Sequence, residues 1–449
     1  MAKMLATIVE SPYFSSPLFD LPDMNDPHLK IALDVGTLGF AQDSRSAARG
    51  VHRVAEYLFK GLRASGGCDL RFIATSHVAG AYDFLLSQGF SPDRTMGFYP
   101  TQLQISRLSR IGSRWVHGNV ADRRFFARGA RRLVSSACAL AVSQQERFPS
   151  RFLDGADIYH SPLAPIPATV RANKKLKHFL TVHDLIPLTQ PECLAGDAGP
   201  YIRRLLKSLC PDSFAFCVTE SVKADLLTYS HLRPEQIFVT HLAADRGTFY
   251  PEADEAKIAA LRKAYGIPDA PYFFSLSSFD PRKNFGHIIQ CFSQLVLSKE
   301  IADCNLLIVG SNPERNIFVE EAIASCPEVR QRIIMPGYIP DSDLAAIYSG
   351  ARAFLFPSHA EGFGIPPLEA MQCGTPVISS NAPALPEVLG DAAILLDPND
   401  LDGWCQAMVS IAKDASLREK LKQKGLARAA NFSWERFTES TLRGYKAAL

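Results

Sequence analysis

The chain has 449 residues, with 48 Lys plus Arg against 46 Asp plus Glu and a net charge near +2. Hydrophobic residues make up 47% and charged residues 21%, which excludes a disordered or fibrous chain, and the near-neutral balance argues against a dedicated nucleic-acid binder. The length predicts two or three domains, each with its own core. The ten cysteines include no CxxC pair, so no zinc ribbon or thioredoxin-type motif is expected and the thiols read as reduced. No apolar run approaches about 20 residues. The opening stretch meets Glu10 and Pro12 too early to form a signal-peptide core, which predicts a cytoplasmic protein.

Residues 1–28 lack periodicity and read as an extension over the first domain. LKIALDV (29–35) reads as a buried strand. A loop carrying Gly36, Gly39 and Gly50 is predicted next, then a helix over 50–62. Further strands are predicted at 69–75, 157–161, 177–184, 214–220 and 236–242, with helical patterns between several of them. The stretch 101–133 interrupts the rhythm with eight arginines, one acid (Asp122) and three aromatics, Trp115, Phe125 and Phe126. It reads either as a solvated face or as basic amphipathic helices on an anionic membrane surface, which would make the protein peripheral on the inner face of the cell membrane.

The composition shifts over 251–271, read as the interdomain connection after a domain at 29–250. Alternation then restarts over 272–432, with strands at 272–278, 304–311, 332–338, 353–358, 375–380 and 392–398. Helices are predicted between them at about 284–297, 313–325, 341–349, 366–373 and 400–413. Residues 433–449 read as a terminal helix that begins at an N-cap, Ser433, and returns to the first domain. Alternation of this kind predicts an α/β protein with two doubly wound parallel sheets, whose ligand crevices face one another across a cleft.

The densest signal is PSHAEGFGIPPLEAMQCGTPVIS (357–379). A buried strand delivers Glu361 into a loop, Gly362 and Gly364 allow close backbone approach, and Pro366 and Pro367 suit a helix start. The N-terminus of that helix suits an anion such as a diphosphate, and Glu369 lies in its first turns.

Glu361-GFGIPPL-Glu369 resembles the E-x7-E motif of retaining glycosyltransferases of the GT-B fold, family 4 in particular. SSFDPRKN (277–284), VGSNPE (309–314), HDLIPL (183–188) and GVHRVAEYL (50–58) occur in the order that family shows, so the resemblance covers about residues 29–449. It is strongest to bacterial mannosyltransferases of surface polysaccharide assembly. It implies transfer of a hexose, with GDP-mannose favoured over UDP-glucose or deoxysugar donors, onto a saccharide or lipid-linked acceptor. On the same resemblance Lys283 binds the donor phosphates with Arg282 beside it. Glu361 bonds the donor sugar, Glu369 the ribose, and His183 with Asp184 lies near the sugar. Phe363 and Ile365 accompany Gly362 and Gly364 at the donor, while Ser311 and Ile339 line the nucleotide pocket. Arg45, Gly50 and Arg53 belong to a loop that meets the diphosphate from the other domain. Where many members carry a strand-end arginine, this chain has Ser277 and Ser278.

Two DxD pairs, Asp341-Ser-Asp343 and Asp400-Leu-Asp402, each open a predicted helix and read as N-caps and first-turn acids paired with the helix dipole rather than metal ligands. The expectation is therefore a transferase without metal or other cofactor. In it the leaving phosphate oxygen takes the acceptor's proton on the front face, and the protein positions and stabilises. A catalytically silent scaffold of the same fold is the alternative of another class.

Overall fold

A computed structural model describes residues 28–43, 50–108, 148–310 and 317–449. Arg45, Ser311 and the arginine-rich segment beyond Leu108 lie outside the described residues.

Seven parallel strands form the first sheet: β1 (Leu29–Asp34), β2 (Cys68–Ile73), β3 (Met96–Gly97), β4 (Ile158–Ser161), β5 (Lys177–Val182), β6 (Phe214–Cys217) and β7 (Ile237–Val239). Their order is β3-β2-β1-β4-β5-β6-β7. Six parallel strands form the second: β8 (Tyr272–Leu276), β9 (Asn305–Val309), β10 (Ile333–Ile334), β11 (Ala353–Phe356), β12 (Val377–Ser380) and β13 (Ile394–Leu396), in the order β10-β9-β8-β11-β12-β13. Strands such as β9 and β11 are buried along their whole length, as expected where helices cover both faces of a parallel sheet. The strand order reverses between β1 and β4 in one sheet and between β8 and β11 in the other. These switch points open crevices at the strand carboxyl ends.

The predicted loop after β1 is corrected: Gly36–Asp43 is a helix. Its glycines serve packing rather than a turn. A Cβ on Gly80, in the helix Val78–Ser87, would stand 2.1 Å from the Gly39 carbonyl oxygen, so two backbones touch where side chains would hold them apart. The short strand β3 and the helix Ala415–Ala429 also went unread in the sequence. The helix Glu255–Ala264 lies within 251–271 and leans on the second domain, where the Tyr265 hydroxyl donates to Asp343 at 2.5 Å.

The last helix, Trp434–Ala448, starts at Ser433, whose hydroxyl accepts from the Arg436 amide at 3.2 Å. It packs back on the first sheet. Tyr445 meets Phe216 edge-on at 5.5 Å, and Trp434 stacks on Tyr57 at 4.1 Å. Among the described residues, no helix is long and apolar enough to cross a membrane.

Candidate active site

A cleft of about 440 Å³ runs between the two sheets at their strand carboxyl ends. His183 and Asp184 reach it from the end of β5, Ser277 and Ser278 from β8, Gly310 from β9 and Glu361 from the loop after β11. Gly50, Arg282, Lys283, Gly362, Phe363, Gly364 and Ile365 also line it.

At its centre is a buried charge cluster. Lys283 Nζ donates to Glu361 Oε1 at 2.5 Å, and the Ser358 hydroxyl donates to the same oxygen at 2.5 Å. Arg282 Nη1 lies 3.1 Å from Glu361 Oε2 and donates to the Ala360 carbonyl at 2.6 Å. The backbone sets this up. Asp280 caps a single 3-10 turn, Pro281–Lys283, and Asn284 at φ 53 redirects the chain into the helix Phe285–Leu297. The Arg282 carbonyl also accepts from the His359 amide at 2.8 Å, which ties the lysine loop to the glutamate loop. Burial alone would raise the Glu361 pKa. The two cations and the Ser358 hydroxyl outweigh it and hold the carboxyl down to about 2. Burial draws the Lys283 ammonium downward against the pull of Glu361. Asp280 also lies within electrostatic reach of both cations, and Asp184 within reach of Arg282. The N-terminus of the helix Ile365–Gln372 adds its dipole to the same wall.

His183 Nε2 sits 2.8 Å from the Pro162 carbonyl oxygen, which can only accept. The proton therefore belongs on Nε2 and the lone pair on Nδ1. Burial lowers the His183 pKa, so the ring is neutral. Asp184 Oδ1 accepts from the Ile186 amide at 3.2 Å and stiffens the turn that carries the histidine.

Glu369 is buried at the other end of the motif and meets a residue from the first domain. Arg53, in the helix Val51–Ala64, donates to Glu369 Oε1 and, at 2.9 Å, to Asp341 Oδ2. The Tyr348 hydroxyl lies 3.3 Å from Glu369 Oε2. Burial raises the Glu369 pKa while Arg53 opposes it, and the two acids hold Arg53 firmly charged.

Two sequence readings change here, those of Arg53 and Ile339. Arg53 was expected on a phosphate loop; it instead closes a bridge onto Glu369 and Asp341. The acids of the two DxD pairs stand at helix starts as read: Asp341 and Asp343 lie in the first turn behind Pro340 at the cap, and Asp400 caps its helix and accepts from the Gly403 amide at 2.9 Å. Ile339 is fully buried in the hydrophobic core and is not among the side chains of the cleft wall. Gly362 lines the cleft and also makes room for protein: a Cβ there would stand 2.2 Å from the His183 carbonyl oxygen, and its own carbonyl accepts from Thr219 Oγ1 at 3.0 Å.

Sequence reasoning missed Ser358, Thr219 and Glu387. Glu387, in the second domain, accepts from the Glu220 amide at 3.0 Å and the Ser221 amide at 3.3 Å, and from His241 Nε2 at 2.7 Å. It thus places a carboxylate on the N-terminus of the helix Glu220–Tyr229, the favourable end for an anion. Each of these contacts joins residues more than a hundred positions apart, apart from the Ser358–Glu361 bond, so no spacing rule reveals them.

The family described as glycosyl transferases group 1 matches residues 257–428. O-antigen chain mannosyltransferase B of Escherichia coli is 31% identical over 290 residues, which cover 64% of this chain and 74% of that protein. The serotype-specific mannosyltransferase WbdA of Escherichia coli is 29% identical over 280 residues, but the match spans only 34% of its length. Among solved structures, sucrose-phosphate synthase from Thermosynechococcus elongatus superposes with a TM-score of 0.62 at 19% identity, over 93% of this chain and 98% of that one. Anabaena Alr3699/HepE in complex with UDP and glucose gives 0.63 at 14% identity, over 93% and 99%.

Proposed function

The chain belongs to the group 1 glycosyltransferases and has the GT-B fold, and from that premise we propose that it is a retaining mannosyltransferase of family 4. It moves mannose from GDP-mannose onto a saccharide or lipid-linked saccharide acceptor in surface polysaccharide assembly. The observation that carries this reading is the buried cluster of Lys283, Arg282 and Glu361 on the cleft wall, at the end of the strand where a donor diphosphate would lie. The mannosyl choice leans on the O-antigen mannosyltransferases among the relatives.

In this reading the donor diphosphate draws Lys283 and Arg282 away from Glu361. Glu361 is then free to accept from the sugar hydroxyls. As the sugar–phosphate bond breaks, charge grows on the leaving oxygen, where fixed cations and the helix N-terminus stabilise it. The acceptor hydroxyl attacks the anomeric carbon from the same face and passes its proton to that oxygen. Neutral His183, with its Nδ1 lone pair, takes a hydrogen bond from a hydroxyl beside the reacting carbon. No protein nucleophile and no metal is required.

The test is incubation with GDP-mannose and a lipid-diphosphate-linked mannoside acceptor in EDTA, with the product's anomeric configuration read by NMR. An α-linked product from the α-linked donor is expected. A β-linked product would overturn retention, and activity that vanishes in EDTA and returns with magnesium would overturn metal independence.

A further inference from the structure

At the far end of the first sheet, away from the cleft, three metal-ligating side chains converge. His178 is the second residue of β5, and Cys210 and Asp212 lie in the loop that leads into β6. A ring nitrogen of His178, the Cys210 sulfur and a carboxylate oxygen of Asp212 all lie within 4.8 Å of one another. His178 is 2% exposed. Its Nδ1 is 3.3 Å from the Leu176 carbonyl oxygen, so the proton sits on Nδ1 and the lone pair on Nε2. Nε2 is buried and has no hydrogen-bond partner. An orphaned buried acceptor is costly, and it is the state a metal-bound imidazole leaves when its other nitrogen is anchored to a carbonyl.

The loop is held for this arrangement. The Cys210 amide donates to Ser213 Oγ at 2.7 Å, and Gln236 Nε2 donates to the Pro211 and Ser213 carbonyls at 2.8 and 2.9 Å. Asp212 is half-exposed and already draws a cation, the exposed Lys174 ammonium at 3.4 Å. We propose that His178, Cys210 and Asp212 form a binding site for a zinc-class divalent ion that staples this loop to β5, independently of the transfer reaction. One nitrogen, one sulfur and one oxygen suit zinc, with water in the fourth position. Tetrahedral zinc would need its ligand atoms about 3.3–3.6 Å apart. Rotation of the exposed Asp212 and half-buried Cys210 side chains covers the difference.

The full chain, stripped with a chelator under reducing conditions, is titrated with zinc and separately with cobalt. One equivalent of zinc per chain, a higher melting temperature and a thiolate-to-cobalt charge-transfer band are expected. C210S should abolish the band, and D212N should weaken zinc binding by about tenfold or more. Asp212 is exposed enough that D212N folds even if a change at buried His178 does not. No bound zinc, a band that survives C210S, or unchanged affinity in D212N would each overturn the site.

Discussion

Lys283→Ala is expected to lower turnover by about 10²-fold or more, the scale for losing one charge-stabilising group at a developing anion. Lys283 is the closer of the two cations to Glu361, and its ammonium nitrogen lies 5.2 Å from the centroid of the Phe356 ring, so the ammonium is held in place at the end of β11. Glu361→Gln should be as damaging to turnover, but with a different stability signature. Its two cations and the Ser358 hydroxyl hold the Glu361 carboxyl down to about 2, well below the usual carboxylate range. A carboxyl with a depressed native pKa stabilises the fold above its unfolded value, and that contribution is lost as pH falls through the native one. The stability advantage of the wild type over E361Q should therefore shrink by about 3 kcal/mol between roughly pH 5 and pH 2. Turnover of K283A within about threefold of wild type would remove the phosphate role argued for the lysine, since one such group is worth far more.

The second large effect is expected at Arg53. Its side chain is 16% exposed and that of Glu369 only 4%, so this arm of the bridge between domains is shielded from water, whereas Asp341 at 40% is not. Removing one partner of a buried pair costs about 3–5 kcal/mol, because the other charge stays buried without its counterion. Arg53→Ala leaves Glu369 near Asp341 with the Tyr348 hydroxyl at 3.3 Å. E369Q should cost less, because Arg53 keeps Asp341 at 2.9 Å. The R53A defect should also ease on acidification, since burial already raises the Glu369 pKa and a protonated acid needs no cation. Calorimetry should show a lower melting temperature and small-angle scattering a larger radius of gyration as the domains part. Superimposable scattering and a melting temperature within about one degree of wild type would contradict a closing role for the bridge.

Local patterns carried much of the fold. β9 and β11 are short apolar runs bounded by turn residues, and the helix Ile365–Gln372 follows a glycine and carries two prolines in its first turn. Lys283, Glu361 and His183 were legible because each follows a strand closely, and a parallel sheet brings such positions to one edge. Gly39 misled because glycine is read as a loop residue, whereas here it lets two helix backbones touch. Arg53 could not be read correctly: its partner Glu369 lies 316 positions away, and only the packing of the two domains brings them together. The same holds for His178, Cys210 and Asp212, whose spacing matches no metal motif and whose meeting depends on β5 and β6 being neighbours.

The most direct test of a donor site in the cleft is thermal stabilisation by GDP, UDP, ADP and dTDP, measured with EDTA present. A ligand at 100 times its dissociation constant adds about 2.7 kcal/mol to stability. A clear upward shift with GDP alone, abolished in K283A, is the predicted result. A shift with none of the four, or one undiminished in K283A, would contradict a metal-independent nucleotide site built on Lys283.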